Sequence, residues 1–180
     1  MKEILFVTGN KRKVEEAKLA CEPLGIRIIQ KEFDIDEIQS TDASKVSEKK
    51  ARDAYLKAQS PVVVTDSFWS ITALNGFPGA YAKDVDNWFN EKNFLDLVAD
   101  YQDKTISFTE NITYFDGNQI KQFSKEFWGL IVEPRGKGRP LENIVEIDGT
   151  TIGEHRTLGT FSHSAEDYVW IDFAKWFVKI

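Results

Sequence analysis

The sequence predicts an α/β domain in which helices flank a mixed central sheet, and three observations indicate this class. Residues 4–8 (Ile-Leu-Phe-Val-Thr) form a short apolar run of the kind found in strands buried on both faces. Gly9 and Asn10 break that run, and a helical hydrophobic period starts at Lys11. A second apolar run, at 62–64, again ends in polar residues. Strand, tight turn and helix in succession are typical of α/β domains.

Hydrophobic period and turn signals place the remaining elements in order. The helical stripes predict four helices, which start at Lys11, cover 43–59 and 84–100, and run from Ser164 to the C-terminus. A period of two over 105–132, centred on Asp116-Gly117, predicts a hairpin, and a further strand is expected over 143–147. No internal repeat or linker interrupts residues 1–180, so the sequence predicts a single domain.

Composition restricts the classes of function. The chain has 23 Lys and Arg against 29 Asp and Glu, and a net charge of -6 disfavours binding to nucleic acid or to an anionic membrane. The N-terminus has only four apolar residues before a polar stop, so we expect neither a signal peptide nor a membrane span. The one cysteine, Cys21, predicts a buried thiol and a reducing, cytoplasmic setting. The aromatic content of 13% is high, and composition does not say what these rings do.

The junction between the first strand and the first helix is a candidate phosphate site. Residues 8–13 read Thr-Gly-Asn-Lys-Arg-Lys. A helix N-terminus presents unpaired N–H groups and a partial positive charge, and glycine lets a ligand approach the backbone. The spacing of a P-loop is absent. The alternative interpretation is ordinary turn chemistry followed by a solvated cationic helix face.

Acidic residues supply a candidate metal site. Asp34, Asp36 and Glu37 precede the second helix, and Asp66 ends the strand at 62–64, where doubly wound sheets bind their ligands. Mg²⁺ prefers one or two protein carboxylates together with phosphate oxygens and water. The alternative for the group before the helix is a favourable interaction with the helix dipole. Asp66 needs a partner, because a charged residue at the end of an apolar strand is partly desolvated.

Two further segments carry reactive groups. Residues 75–83 form a loop with two glycines around Phe-Pro, and the loop ends at Lys83. Ser162-His163-Ser164 brings a serine next to a histidine, but adjacent residues seldom make a nucleophile and base pair, and Ser164 is a candidate helix cap. His155 is the only other histidine, and the two histidines lack zinc-ligand spacing.

Taken in order, these segments resemble the inosine triphosphate pyrophosphatase family, whose members hydrolyse nonstandard purine nucleoside triphosphates to the monophosphate and pyrophosphate. The motifs that carry the resemblance are Phe-Val-Thr-Gly-Asn with Lys13, the segment 34–37, Val-Thr-Asp-Ser at 64–67, Leu-Asn-Gly-Phe-Pro-Gly-Ala-Tyr at 74–81, and Val-Glu-Pro-Arg-Gly at 132–136. The resemblance covers most of the chain and is most specific over residues 6–83.

The resemblance implies a fold, a reaction and a set of site residues. It implies a two-lobed α/β fold with a cleft, water attack on the α-phosphorus, Mg²⁺ as cofactor and a homodimer. It implies that Asp66 orients or deprotonates the attacking water and that Asp66 and Glu37 bind Mg²⁺. The implied substrate contacts are Thr8, Gly9, Asn10, Lys13, Ser67, Lys83, Glu142 and His163, of which Lys13 also serves catalysis.

The second half of the chain departs from the family pattern. Pro-Leu-Glu-Asn at 140–143 stands where the family has Gly-Trp-Asp-Pro, and residues 158–164 lack the lysine and arginine of the family's Ser-His segment. Thr65 stands where an acid often precedes the metal-binding aspartate. The changes at 140–143 and 158–164 affect base recognition, and two readings remain. One is a pyrophosphatase with altered base preference, in which Arg139, His155, Arg156 or a tryptophan replaces lost contacts. The other is a nucleotide-binding protein that has lost efficient catalysis.

Overall fold

The computed structural model of the protein describes residues 2–160, 164 and 166–180, and these divide into two compact units. Unit 1 comprises residues 1–66, 110–125 and 163–180, and unit 2 comprises residues 67–109 and 126–162. In chain order the elements are β1 (Lys2–Val7), α1 (Lys11–Cys21), β2 (Ile26–Lys31), α2 (Ala43–Ala58), β3 (Val62–Ile71), β4 (Pro78–Gly79), α3 (Ala82–Trp88), α4 (Glu91–Leu97), β5 (Thr105–Phe115), β6 (Ile120–Ile131), α5 (Pro140–Ile144), β7 (Val145–Ile147), β8 (Thr150–Thr151), α6 (Ile152–Leu158) and α7 (Val169–Phe177).

The sheet is mixed, which confirms the predicted fold class. The strand order is β2-β1-β3-β5-β6-β7-β8, with β4 beside β3. β1 pairs in parallel with β2 and β3, while β3 with β4, β6 with β7 and β7 with β8 pair antiparallel. The parallel pairing explains the continuous apolar runs of β1 and of the start of β3, because parallel strands are usually buried on both faces.

In unit 1 the two faces of the sheet are covered by different helices. Val62 and Val64 pack against Ala51 and Ala54 of α2. Their neighbours along the strands point the other way, because successive strand residues alternate between faces. On that opposite face Phe6 contacts Trp170 of α7, with the ring centroids 4.8 Å apart, and α1 packs beside α7.

Side-chain caps explain where the first two helices begin. The Oδ1 atom of Asn10 accepts hydrogen bonds from the backbone N–H groups of Arg12 and Lys13 at the start of α1. Asp42 does the same at the start of α2. α2 ends at Ala58 because Gln59 adopts a left-handed conformation, with φ of 51°. The predicted boundary at residue 59 is therefore correct to within one position.

Unit 2 has its own apolar core beneath β6 and β7. The buried residues that form it are Trp69, Ile71, Ala82, Val85, Phe94, Val98, Ile106, Ile131, Leu141, Ile144, Val145 and Ile152. The loop at 133–140 packs closely on the start of α6: a Cβ on Gly136 would lie 2.0 Å from the carbonyl carbon of Gly153. The hydrophobic period of the sequence did not predict the helix against which this loop packs.

The hairpin prediction is confirmed. β5 and β6 are neighbours in the sheet and are joined through Asp116-Gly117. The Oδ1 atom of Asp116 accepts hydrogen bonds from the N–H groups of Asn118 (2.8 Å) and Gln119 (2.7 Å), and Gly117 has a φ of 98°. A carboxylate and a glycine thus provide the turn chemistry that the sequence indicated.

Four predicted elements are wrong in their bounds. The strand predicted at 62–64 continues to Ile71, so Asp66 lies within β3 and not at its end. The helix expected over 84–100 is two helices, because Phe89 leaves the helical region and Asn90 caps α4. The strand expected over 143–147 starts at Val145, since α5 occupies the preceding residues. The last helix starts at Val169 and not at Ser164, whose hydroxyl donates a hydrogen bond of 2.6 Å to Asp167 in the turn before it.

Candidate active site

The turn between β1 and α1 is held by its own side chains. The N–H group of Asn10 donates to the hydroxyl of Thr8 (3.1 Å), and the amide of Gln30 donates to the carbonyl oxygen of Thr8 (2.9 Å). Because Asn10 also accepts from the N–H groups of Arg12 and Lys13, two of the amides expected to bind phosphate already have a partner. The anion-binding capacity of this turn thus depends more on side chains than we expected.

Neither backbone conformation nor a fixed neighbouring atom requires glycine at position 9. Its φ lies outside the left-handed region that favours glycine. A Cβ at this position would come within 2.6 Å of the carboxylate of Glu32, which is the movable end of a side chain. The predicted substrate contact at Gly9 stays a prediction.

Lys13 belongs to a charged cluster and not to a solvated helix face. Its ammonium lies within electrostatic reach of Asp66, Lys50, Glu110 and Glu16. Burial lowers the pKa of Lys13, and the carboxylate of Asp66 is the strongest influence in the opposite direction. The functional interpretation of this lysine is therefore favoured over the solvated one.

Lys50, on α2, links the two carboxylates that the sequence predicted as metal ligands. Its Nζ atom lies 2.6 Å from Oδ1 of Asp66 and 2.9 Å from Oε1 of Glu37. Burial acts to lower the pKa of Lys50, but Asp66 and Glu37 together outweigh burial and raise it. Lys50 is a protonated ammonium between two carboxylates, and the sequence analysis did not identify it.

The donor set of Asp66 and Glu37 fits a magnesium ion. Oδ2 of Asp66 is buried, and no described residue gives it a hydrogen bond. A buried carboxylate oxygen of this kind lacks a cationic or hydrogen-bonding partner. Within the described ranges, no three His, Cys, Asp or Glu side chains are grouped so as to hold a metal. Two carboxylates suit Mg²⁺, which takes its other ligands from phosphate and water.

Glu110, on β5, is a further acidic residue near Lys13, and it was not predicted from the sequence. Burial raises the pKa of its carboxyl group, while Lys13 and Lys125 act to lower it. Its Oε2 atom is buried and accepts no hydrogen bond from the residues that the structure describes. A signal was available, since Glu110 interrupts the apolar alternation of a predicted strand.

Three predicted substrate contacts lie in unit 2. Ser67 is half-buried in β3, and Lys83 is exposed in the first turn of α3. Glu142, on α5, has protein partners for both carboxylate oxygens: Oε1 accepts from the guanidinium of Arg156 and Oε2 from the N–H group of Arg139. The structure thus gives Glu142 a local role, while the substrate roles of all three residues stay predictions.

The residues considered as replacements for lost base contacts also have local partners. Arg139 forms an ion pair of 2.8 Å with Asp86. Nδ1 of His155 lies 2.9 Å from the hydroxyl of Thr160. His163 lies outside the described residues.

Comparison with known proteins identifies the family. A model of the Ham1 family matches residues 4–155. A dITP/XTP pyrophosphatase of Methanosarcina acetivorans is 34% identical over 157 residues, which cover 86% of this chain and 85% of the relative. An inosine triphosphate pyrophosphatase of Fusarium vanettenii is 32% identical over 155 residues, which cover 84% of this chain and 83% of that protein.

Solved structures share the fold. A HAM1 protein from Coxiella burnetii superposes with a TM-score of 0.82 at 23% identity, over the full length of both chains. The Ham1 protein of Staphylococcus aureus gives a TM-score of 0.76 at 22% identity, covering 99% of this chain and 98% of the other. With a family model that matches most of its length and relatives above 30% identity, the chain belongs to the Ham1 family.

Proposed function

We propose that the protein is a nucleoside triphosphate pyrophosphatase, which hydrolyses nonstandard purine nucleoside triphosphates such as those of inosine and xanthosine to the monophosphate and pyrophosphate. The observation that carries the proposal is the cluster of Lys13, Lys50, Glu37 and Asp66 in unit 1. Support also comes from relatives named dITP/XTP pyrophosphatase and inosine triphosphate pyrophosphatase.

The two lysines have the chemistry to bind the triphosphate. Both lysines are half-buried, and a charge that is partly removed from water interacts more strongly with a phosphate oxygen than a fully solvated one does. To reach a phosphate, Lys50 would leave exposed Glu37, one oxygen of Asp66 and the carbonyl oxygen of Thr65. During the reaction these charges neutralise the negative charge that builds on the departing pyrophosphate.

Asp66 and Glu37 would hold the magnesium ion. When bound, Mg²⁺ supplies Lewis-acid polarisation of phosphate oxygens and a template for the substrate. Asp66 offers its buried Oδ2 atom for this purpose, while Glu37 is exposed enough to change conformation when a ligand arrives.

Asp66 would also direct the attacking water. A carboxylate that accepts a proton from water, or fixes its orientation, makes that water a better nucleophile towards phosphorus. Attack on the α-phosphorus forms a new P–O bond and breaks the bond to the oxygen that bridges the α- and β-phosphates. Pyrophosphate leaves with that oxygen, and the nucleoside monophosphate remains.

A substrate panel tests the proposal. We expect pyrophosphate release, with Mg²⁺ present, from at least one of the triphosphates of inosine, deoxyinosine and xanthosine, measured beside those of adenosine and guanosine. Because Glu142 is held by Arg156 and Arg139, we expect a base preference that differs from that of relatives. Nucleotide binding without turnover of any triphosphate would instead favour a binding or sensing protein of the same fold.

Asp66→Asn tests the catalytic assignment. The amide keeps the size of the side chain but loses the charge that binds metal and activates water, so we expect kcat to fall by at least about a hundredfold. Asp53→Asn is a matched control, because Asp53 lies on the same helix as Lys50 and pairs with the neighbouring Lys49. Near-normal turnover by Asp66→Asn, measured as pyrophosphate release, would show that the assignment is wrong.

We also propose a homodimer and a cytoplasmic location, on the basis of the family resemblance and of the single cysteine. No helix within the described residues has the length and apolar character needed to cross a membrane. Sedimentation at micromolar concentration should give twice the chain mass of 20.6 kDa, and a monomer would exclude the dimer.

A further inference from the structure

A buried polar pair joins α2 to β5 in unit 1. Nδ2 of Asn111 donates a hydrogen bond of 3.0 Å to the hydroxyl oxygen of Ser47, and both residues are buried. Burial of an amide and a hydroxyl costs free energy that their hydrogen bond offsets, whereas two apolar side chains would carry no such cost. The pair adds a fixed position, because a satisfied buried hydrogen bond is directional and apolar packing is not.

The apolar part of this face of α2 fixes the helix only weakly. Ala51 and Ala54 follow Ser47 at helical spacing and pack against the apolar start of β3. Alanine side chains are short, so the ridges that they form are shallow and hold a helix loosely along its own axis. The hydrogen bond from Asn111 therefore sets the axial position of α2 at this face.

Lys50 lies on the same face of α2, three residues after Ser47. Its Nζ atom lies 2.6 Å from Oδ1 of Asp66, 2.9 Å from Oε1 of Glu37 and 3.4 Å from the carbonyl oxygen of Thr65. These contacts tolerate little movement, since a shift by one residue of helix rise is about 1.5 Å and hydrogen bonds weaken steeply with distance and angle. The Lys50 side chain is only 17% exposed, so its packed surroundings limit how far it can compensate.

We propose that Asn111 is a positioning residue, whose hydrogen bond to Ser47 holds α2 at the axial position where Lys50 reaches Asp66. The inference rests on the proposed function, in which Lys50 binds the triphosphate, and it assigns Asn111 an indirect part in that binding. Asn111 acts through the helix and not by contact with the substrate or the metal ion. The effect of its removal on turnover should therefore depend on Lys50.

The first test is the double variant Ser47→Ala/Asn111→Leu, which replaces both partners by apolar groups of similar size. Because such a replacement leaves no buried group unpaired, we expect a melting temperature within about 4 °C of the wild type. We expect kcat/KM for the preferred triphosphate to fall about tenfold, since a small displacement of a substrate-binding group slows turnover by such factors. A pair with a purely structural role would leave kcat/KM unchanged in a variant of wild-type stability.

Two controls separate positioning from other effects. Ser44→Ala makes the same serine change on α2 but keeps the bond that Nε2 of Gln122 donates to the carbonyl oxygen of Ser44, so we expect kcat/KM within about twofold of the wild type. In a chain that already carries Lys50→Gln, the two apolar replacements should lower kcat/KM by less than about twofold, because the group that they displace is absent. A further loss of about tenfold in that chain would overturn the proposal.

The reactivity of Lys50 tests the proposal without turnover. Acetic anhydride modifies only the neutral amine, and a lysine held between carboxylates keeps its proton. Lys49 is the internal reference, because its side chain is 48% exposed and it lies on the same helix. Measured by mass spectrometry, Lys50 should react more slowly than Lys49 in the wild type, and at least about threefold faster in the double variant than in the wild type because its partners are lost.

Each outcome decides the proposal. A folded double variant in which either kcat/KM or the labelling of Lys50 equals that of the wild type would overturn it. If the double variant does not fold, Ser47→Ala alone removes the same hydrogen bond and takes its place with the same expectations. A wild-type chain that hydrolyses no triphosphate would contradict the proposed function, while increased labelling of Lys50 in the double variant would still support the role of Asn111 in the position of α2.

Discussion

At the scale of single residues, the candidate site balances its charges. Lys13 and Lys50 are partly buried cations, and each has at least two carboxylates within electrostatic reach. Without such partners a buried ammonium loses its proton, since burial disfavours the charged form. The acids that keep the lysines charged include the proposed metal ligands Asp66 and Glu37. A triphosphate with Mg²⁺ would therefore exchange one set of ion pairs for another.

Lys50→Gln tests this balance. Removal of the ammonium leaves Asp66 and Glu37 without the cation that links them and deprives the substrate of a phosphate contact. We expect kcat/KM for the preferred triphosphate to fall about a hundredfold, a loss typical of a charged group that stabilises a transition state. Lys49→Gln is the matched control, because Lys49 is exposed and pairs with Asp53. Equal activity of the two variants would exclude Lys50 from the site.

The sequence predicted about half of this site, for physical reasons. Lys13 could be found because it lies at a helix start and Glu37 because it lies in a connecting segment, where function concentrates. Asp66 could be found because a charged residue directly follows an apolar run of β3. Lys50 could not be found in this way, since α2 carries charged residues over most of its exposed positions. Nothing in the sequence distinguishes a functional lysine there from a solvated one. Glu110 lies within a strand whose partners on other elements only the fold reveals.

At the scale of elements, the predictions succeeded where one strong pattern spans the whole element. β1, α1, α2 and the β5–β6 hairpin were recognised from such patterns, whereas only the first three residues of β3 were. The pattern failed where an element is short or flanked by polar residues: β2 and α6 were not predicted. α6 needs Thr151, whose hydroxyl caps it by accepting from the N–H group of Glu154, and the tertiary contact of Gly136. Such contacts are non-local and leave no periodic signal.

The contact between the 133–140 loop and α6 gives a prediction with a matched control. Gly136→Ala requires a Cβ 2.0 Å from backbone atoms at Gly153, at a φ of 88°. Gly149 has a similar φ of 84°, but a Cβ at that position would have no atom within 4 Å. We expect Gly149→Ala to lower the free energy of unfolding by about 1 kcal/mol, and Gly136→Ala by about 3 kcal/mol because overpacking adds to strain. Urea titration measures both, and equal losses would mean that the loop moves freely.

At the scale of the whole molecule, the net charge and the aromatic content acquire specific meanings. A net charge of -6 is compatible with a polyanionic substrate because Lys13 and Lys50 are concentrated in one cluster. Many aromatic rings pack against one another. In unit 1 the largest group contains Phe6, Tyr114, Phe123, Trp170, Phe173, Trp176 and Phe177, and Tyr55 packs against Phe115. In unit 2 one group contains Trp69, Phe108 and Phe127 and another contains Phe77, Phe89 and Phe94. These rings serve as core, whereas Trp88 and Trp128 are exposed.

The stability of the whole fold should depend on the single thiol at alkaline pH. Burial raises the pKa of Cys21 from 9.0 to about 12. A group whose pKa is raised by folding contributes its stability below the unfolded pKa and loses it as pH rises towards the folded value. Ionisation of Cys21 in the unfolded chain should therefore cost about 1.4 kcal/mol of unfolding free energy at pH 10. Cys21→Ala loses packing energy at every pH, but its stability does not depend on ionisation of a thiol. The difference in the free energy of unfolding between wild type and variant should therefore narrow from pH 8 to pH 10. Urea titrations at the two pH values measure this difference. An equal difference at pH 8 and pH 10 would show that the thiol ionises equally easily in the folded and unfolded protein.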